Sequence, residues 1–276
     1  MDSKTTIYYF SGTGNSLHMT KCLKEKLSEC ELVPIAGLIK QISIKATSDK
    51  VGFIFPVYNW ALPKIVYDFI EKIDLSNTKY IFALATKGGP GRQYVIQCMN
   101  KLLKLKNKQL DAAFLIKVFS ANIMGSYNPL HPKEKQKRRI RNAELKLEKI
   151  VEIVSNNKKG KGKKFSIFPM KGSHKSAMKK TNNMDEKYYS DEKCNGCGIC
   201  QQICSVDNIK LVNEKPEWQH RCQTCLACLH YCPQKAIQYS KHTLDRERYN
   251  HPHITIKDLI NQKQVNFKIM QIEELL

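Results

Sequence analysis

Residues 4–10 (Lys-Thr-Thr-Ile-Tyr-Tyr-Phe) are β-branched and aromatic, the composition of a buried strand. Past a short polar stretch, Met19, Cys22, Leu23 and Leu27 recur at i, i+3, i+4 and i+8, one face of a helix. The alternation then repeats. Val51 to Phe55 form a second apolar strand, and Ile65, Val66, Phe69, Ile70 and Ile73 share one face of the helix after it. Tyr80 to Ala85 form a third strand, followed by a helix carrying Val95, Met99, Leu102 and Leu103. Ala112 to Val118 form a fourth, and Leu147, Ile150, Val151 and Val154 stripe the last helix. Strands and helices alternating over short links predict an α/β fold with a doubly wound parallel sheet. Such sheets bind ligands beyond the carboxyl ends of their strands, at the point where strand order reverses.

Three loops fall at those ends. The first, Ser11-Gly12-Thr13-Gly14-Asn15-Ser16, joins a strand to a helix and offers hydroxyls and backbone N–H groups, the setting for a phosphate at a helix start. It is not a Walker loop, since no Gly-Lys-Ser/Thr follows, and Leu17 occupies the third glycine position of the dinucleotide fingerprint. The second, residues 56–63, carries Tyr58, Asn59 and Trp60; the two aromatics suit a ring-stacking role, with core packing as the plainer reading. The third, residues 86–91, contains Lys87, Gly88 and Gly89, which also read as an ordinary turn into a helix.

Beyond residue 185 the pattern changes. Cys194, Cys197, Cys200 and Cys204 are followed 28 positions later by Cys222, Cys225, Cys228 and Cys232. Both sets read C-x2-C-x2-C-x3-C, the bacterial iron–sulfur run, and Pro233 closes the second while Ser205 stands at that place in the first. A zinc ribbon needs two C-x2-C pairs rather than this close series, and a disulfide framework needs an oxidising compartment that nothing here suggests. The repeat extends to Ile209 and Ile237. Residues 209–212 and 217–220 suggest a hairpin around Pro216. With the cysteines sufficient as ligands, His230 reads as a bystander, and Cys22, Cys30 and Cys98 as structural thiols on helices or their edges.

The cysteine runs resemble two-cluster ferredoxins, and the resemblance implies crossed ligation: Cys194, Cys197, Cys200 and Cys232 on one [4Fe–4S] cluster, Cys222, Cys225, Cys228 and Cys204 on the other. The Ser11–Ser16 loop resembles the flavodoxin loop that binds the FMN phosphate without basic side chains. The 56–63 and 86–91 loops resemble the segments that flank the flavin, with glycines where many flavodoxins place a tyrosine. Taken together the chain resembles ferrodoxins, fused flavodoxin–ferredoxin proteins of anaerobic bacteria and archaea. The resemblance implies a flavodoxin-like FMN domain over 1–157, a basic linker over 158–184, a small α+β ferredoxin domain over 185–245 and a tail over 246–276. It further implies electron transfer between clusters and FMN and on to a partner reductase. The alternative is a flavin-dependent reductase acting directly on a small molecule. No general acid, base or nucleophile constellation stands out.

Charge sharpens the partner. The 276 residues carry a formal net charge of +21, and residues 133–193 alone hold 19 Lys/Arg against 8 Asp/Glu. Two clusters at about −2 each and a phosphate leave the total strongly basic. An acidic redox protein is the expected partner. Nucleic acid is not expected, because the lysines lack the interleaved aromatics of single-strand binders. No leader and no apolar run long enough to span a bilayer is evident, which points to the cytoplasm. Lys87 and Arg92 lie in the flavin-flanking loops, and no acid occurs between Ser76 and Leu110. In the tail, His251-Pro252-His253 reads as a turn before it reads as a metal site, and Thr255 with Asp258 has capping-box spacing.

Overall fold

In the computed structural model, which describes residues 4–89, 94–125, 130–160 and 181–264, the first strand, β1 (Thr5–Tyr9), is buried along its whole length. It is followed by helix α1 (Asn15–Lys26), strand β2 (Cys30–Pro34), the short α2 (Ile35–Leu38) and a two-residue β3 (Ile44–Lys45). Next come β4 (Lys50–Pro56), α3 (Lys64–Lys72), β5 (Ile73–Asp74), β6 (Tyr80–Lys87), α4 (Tyr94–Lys104) and β7 (Ala112–Lys117). Two further helices, α5 (Lys133–Glu144) and α6 (Leu147–Ser155), close this part of the chain. The main sheet is parallel with order β2-β1-β4-β6-β7, so the direction of winding reverses between β1 and β4. This is the flavodoxin-like doubly wound arrangement.

Each central strand feeds two cores by strand alternation. Tyr8, Phe10, Phe53 and Phe55 point toward Phe69, Ile70, Val95 and Met99 of α3 and α4. Ile7, Ile54, Phe82 and Leu84 point toward Leu17, Met19 and Leu23 of α1 and Leu147, Ile150 and Val154 of α6. Burial on both faces is why these strands read as unbroken apolar runs. The two edge strands escape that pattern: β7 is half-exposed from Ala113 to Leu115, and β2 more so. Strand β2 (Cys-Glu-Leu-Val-Pro) is an edge strand, mostly half-exposed, and Glu31 pairs with Lys4 at 3.2 Å. Cys30 therefore opens a strand and does not border a helix.

The cysteine-rich part is built from β8 (Tyr188–Ser190), α7 (Ile199–Gln202), β9 (Ile209–Val212), β10 (Lys215–Trp218), α8 (Ala227–His230) and β11 (Ile237–Tyr239). The 28-residue offset of the cysteines is thus also the offset from α7 to α8 and from β9 to β11. Strands β9 and β10 form the expected hairpin, and β8 pairs antiparallel with β11. This part shares core with the sheet half: Ile203, Ala227 and Tyr231 pack in one cluster with Leu17 and Leu23. The Gln223 side chain accepts from the Ile65 N–H at 2.8 Å, in buried surroundings.

The tail docks as well. Its helix α9 (Ile256–Ile260) begins with the capping box of Thr255 and Asp258, and Lys21 reaches Asp258 at 2.6 Å. The centre of the basic linker (161–180), the end of the 86–91 loop with Arg92, and the tail past 264 lie outside the described residues. No helix among the described residues is long and apolar enough to cross a membrane.

Candidate functional site

The chain leaves β1 at Ser11 and enters α1 through Gly14, which caps the helix at φ 95°, a conformation that a Cβ would strain. Ser11 Oγ accepts from the Gly14 N–H at 3.2 Å, and Ser16 Oγ lies 2.8 Å from Thr86 Oγ1. The first N–H groups of α1, from Asn15 onward, have no partner within the helix and add to the positive end of its dipole. The result is an anion cradle of hydroxyls and amides with no basic side chain.

Above it lies a cavity of about 610 Å³. Its lining includes Ser11, Gly12, Thr13, Asn15 and Ser16, then residues 56–60 after β4 and 86–89 after β6. These are the carboxyl ends of the strands on either side of the reversal, and the size suits a small-molecule cofactor. Of the expected phosphate-loop residues only Gly14 is not in the wall; it shapes the turn.

The aromatic pair divides its work. Asn59 and Trp60 have φ of 46° and 65°, and Tyr58 and Ala61 exchange both backbone hydrogen bonds, at 3.1 and 2.9 Å. This is a two-residue turn with both central residues left-handed. It sets Trp60 at the cavity rim, 55% exposed. The Tyr58 ring instead packs edge-on against Phe10, with centroids 6.3 Å apart. Burial, then the nearby Cys225 and Cys222, pushes its hydroxyl well above the ordinary range. Tyr58 therefore serves the junction with the cysteine-rich part as well as the cavity. Gly88 lets Ser120 approach: a Cβ there would lie 2.5 Å from the Ser120 Cα, whereas Gly89 faces open space. Lys87 lines the cavity, and burial, then Lys117 and Lys146, lowers its pKa.

Besides Tyr94 at the start of α4, three segments of the wall were not anticipated. Val118 to Asn122 and Met124 follow β7, Met184 precedes β8, and Thr224, Cys225 and Leu226 belong to the second cysteine run. The first could have been found from topology, since the loop after the edge strand also leaves the carboxyl end of the sheet. The other two depend on how the halves dock.

The eight cysteines gather in two groups. Cys194, Cys197, Cys200 and Cys232 line one small cavity, and Cys204, Cys222, Cys225 and Cys228 line another. Each run thus contributes three neighbours to one group and its last member to the other. Backbone N–H groups point at sulfur: Asn208 donates to Cys204 and Thr224 to Cys222, both at 3.2 Å, and Ala236 to Cys232 at 3.3 Å. Burial pushes the Cys200 and Cys225 thiols up to about 12. Thiolates packed this closely need a cationic core to balance them, so the donor set fits a metal cluster. Ser205 is buried in the wall of the second cavity.

His230 is not aimed at a cluster. Its Nε2–H donates to the Ala121 carbonyl at 2.6 Å, and its Nδ1 accepts from the Tyr249 N–H at 3.1 Å. Burial lowers its pKa to about 4, so the ring is neutral and ties the second run to the cavity wall and the tail. The tail in turn braces the Ser11–Ser16 loop. The Gln262 amide accepts from Ser11 N–H at 3.0 Å and donates to Ser11 carbonyl at 3.1 Å, as a paired strand would.

With this geometry in view, residues 6–131 match the profile of the flavodoxin domain. The fold is flavodoxin-like. A flavodoxin domain implies a flavin, and the cavity at the reversal of the sheet is where it would sit. Similar solved structures include a candidate flavoprotein of Bacteroides eggerthii, 18% identical over 55% of this chain and 98% of its own, with a TM-score of 0.37. A second, from Bacteroides uniformis, is 17% identical over 44% and 94%, at 0.33. The NAD(P)H:quinone oxidoreductase of Methanothermobacter marburgensis is 12% identical over 52% and 94%, at 0.30. No curated protein matches the chain.

Proposed function

We propose that the protein transfers electrons between two [4Fe–4S] clusters and FMN and passes them to a redox partner, in a reducing cytoplasm. Bound as the donor sets suggest, clusters would carry electrons singly and the flavin one or two at a time, linking one-electron carriers to a two-electron reaction. The observation that carries the reading is the shared wall: Thr224, Cys225 and Leu226 of one cysteine group line the same cavity as the phosphate loop. The contact is close. A Cβ on Gly12 would fall 2.4 Å from the Cys225 carbonyl oxygen and 2.6 Å from the Tyr58 hydroxyl. The chain's own residues hold the flavin phosphate on the first turn of α1 and fix the two sites against each other.

Anaerobically reconstituted protein should hold about eight iron, eight sulfide and one FMN per chain, with flavin and clusters exchanging electrons within the molecule. Iron bound by only one cysteine group, or a flavin that dithionite-reduced clusters cannot reduce, would refute the proposal. An acidic partner is part of it: helix α5 exposes Lys133, Lys137, Arg138 and Arg141. Neutralising Arg138, Arg139 and Arg141 should slow association at low salt and matter little at high salt, since exposed charges are screened within about 8–10 Å.

The second reading, a reductase acting on a small molecule, is favoured by one feature: exposed Asn59 and Trp60 on the cavity rim leave a side through which a substrate could reach the flavin. Turnover of a small oxidant that survives removal of the partner and falls in Trp60→Ala would support it.

A further inference from the structure

Helix α1 carries His18 and Cys22 one turn apart, so both side chains lie on the same face. Helix α5 ends at Glu144, and the His18 Nε2 meets Glu144 Oε1 at 2.6 Å. Cys22 Sγ lies 3.7 Å from the same Nε2, and ligand atoms of all three residues fall within 4.8 Å of one another. The tail brings two more imidazoles. The ring of His251 is 4.7 Å from that of His18, and exposed His253 stacks on His18 at 4.9 Å with the planes 24° apart.

We infer that His18, Cys22 and Glu144 form a site for a borderline-soft divalent cation, of which zinc is the best fit. Four observations carry this. The donor set of one thiolate, one imidazole and one carboxylate is a zinc set, and its sulfur disfavours magnesium and calcium. The spacing agrees. A tetrahedral zinc with bonds of about 2.0–2.1 Å to nitrogen and oxygen and about 2.3 Å to sulfur separates N from S by about 3.5 Å and N from O by about 3.3 Å. The His18–Glu144 contact must open by about 0.7 Å by that geometry, and the Glu144 side chain is 37% exposed and can give. Cys22 Sγ, 3.7 and 3.9 Å from the two ring nitrogens, must also swing toward Nε2 by rotation of its side chain or of the ring. Charge also balances: a thiolate and a carboxylate neutralise the dication, with the imidazole neutral. Finally, the three ligands come from two helices joined at this point by the His18–Glu144 hydrogen bond, and His18 stands two residues past the phosphate-binding turn. A metal here clips α1 to α5 behind that turn.

The test uses the cluster- and flavin-loaded protein, so that the eight cysteines of the runs are already engaged. Zinc is added anaerobically, excess is dialysed away, and zinc is counted and examined by X-ray absorption at its own edge, which iron does not obscure. The expected result is about one zinc per chain with a single sulfur at about 2.3 Å and nitrogen or oxygen at about 2.0–2.1 Å. Cys22→Ser should remove the sulfur shell and weaken binding by at least about tenfold, while Cys98→Ser changes neither. Should Cys22→Ser misfold, as judged by iron and flavin content, alkylation of Cys22 in the unaltered protein serves instead. Zinc should slow it, as followed on the Cys22 peptide. No zinc retained, a shell of four sulfurs, a spectrum unchanged in a well-folded Cys22→Ser, or alkylation indifferent to zinc would each overturn the site and leave His18–Glu144 as a hydrogen bond only.

Discussion

The two cysteine runs have the same spacing and the same short helix, yet they meet the rest of the molecule differently. In the first, the left-handed positions are Gly196 and Gly198, with φ of 73° and 72°. In the second, the residues 28 positions on are Thr224 and Leu226, with φ of 51° and 64°. The backbone path is repeated, but the residue suited to it is not. A left-handed conformation costs a side-chain-bearing residue roughly 1–2 kcal/mol. The surroundings explain the substitution. The first run lies away from the flavin cavity, with Cys197 exposed. The second run lines that cavity through Thr224 and Leu226, and Leu226 is buried among Tyr188, Leu229 and Ile237. Side chains are needed there to fill the junction, and local strain is the consequence.

The largest effect expected from this comparison is on iron. Cys204 and Cys232 sit in opposite runs, and each lines the cavity of the other run's triplet. Cys204→Ala should empty the group facing the flavin, and Cys232→Ala the outer group, each removing about four of eight iron atoms. Mössbauer or paramagnetic resonance spectra of the two variants should then differ in which cluster remains, and only the Cys232→Ala protein should still reduce its flavin from a cluster. If Cys204→Ala instead abolished the outer signal, the grouping seen in the structure would be wrong.

Next in size is the junction itself. A Gly12→Val side chain has no space, because the backbone of Cys225 and the Tyr58 hydroxyl already occupy it. Overpacking of this kind costs about 1–3 kcal/mol, occasionally more. The loss should show as weakened FMN binding and slowed internal electron transfer, with the spectrum of the outer cluster intact. Gly89→Ala, facing open space, is the control and should stay within about 0.5 kcal/mol of the parent.

Exchanging the left-handed residues separates strain from packing. Gly196→Thr should destabilise by more than about 1 kcal/mol, since φ is unfavourable and the new Cβ would meet that of Glu214 at 2.9 Å. Thr224→Gly removes strain and only a half-buried side chain, so denaturation should find it neutral or up to about 1 kcal/mol more stable. Leu226→Gly also relieves strain but empties a buried leucine, worth about 2–5 kcal/mol, and should be a net loss. Equal costs for Thr224→Gly and Leu226→Gly would mean that strain, and not the packing of Leu226, governs the second run.

How far such features can be read from residues alone follows the same division. The grouping of the cysteines was legible in their repeated spacing, each run placing three together and its last beside the other run's three. Strands β1, β4 and β6 were legible because burial leaves mainly apolar residues there, and β7, half-exposed at the other edge, because Ala112 to Ile116 are apolar even so. Strand β2 was not, since an edge strand half in water tolerates Glu31 and a terminal proline. Tyr58 illustrates a subtler limit: an aromatic in a flavin-flanking loop is visible in the sequence, but its ring turns toward Phe10 and Cys225 because the second run docks on Gly12. The bracing of Ser11 by Gln262, 251 residues away, has no local signature at all. Docking of separate parts leaves no periodicity, and so the cavity walls contributed by Thr224 to Leu226 could be found only from the folded chain.

The smallest effect is electrostatic and asks which run the flavin senses. Lys87 lines the cavity that Cys225 and Leu226 also line, whereas Lys215 donates to the Cys194 carbonyl at 3.0 Å beside the first run. Reduced flavin tends to be anionic, and the nearest described loops, 56–60 and 86–89, contain no acid. One cation at an effective dielectric near 20 contributes on the order of 1–2 kcal/mol at such distances, which is roughly 40–90 mV for a one-electron couple. Lys87→Gln should therefore make the bound flavin harder to reduce by about that amount, while Lys215→Gln, with the same loss of charge, leaves the flavin unmoved and shifts only the outer cluster. Potentiometric titration of the intact protein and the two variants measures both. A flavin potential that moves equally in the two variants would mean that the net basic charge of the chain, and not its local placement, sets the gradient between cluster and flavin.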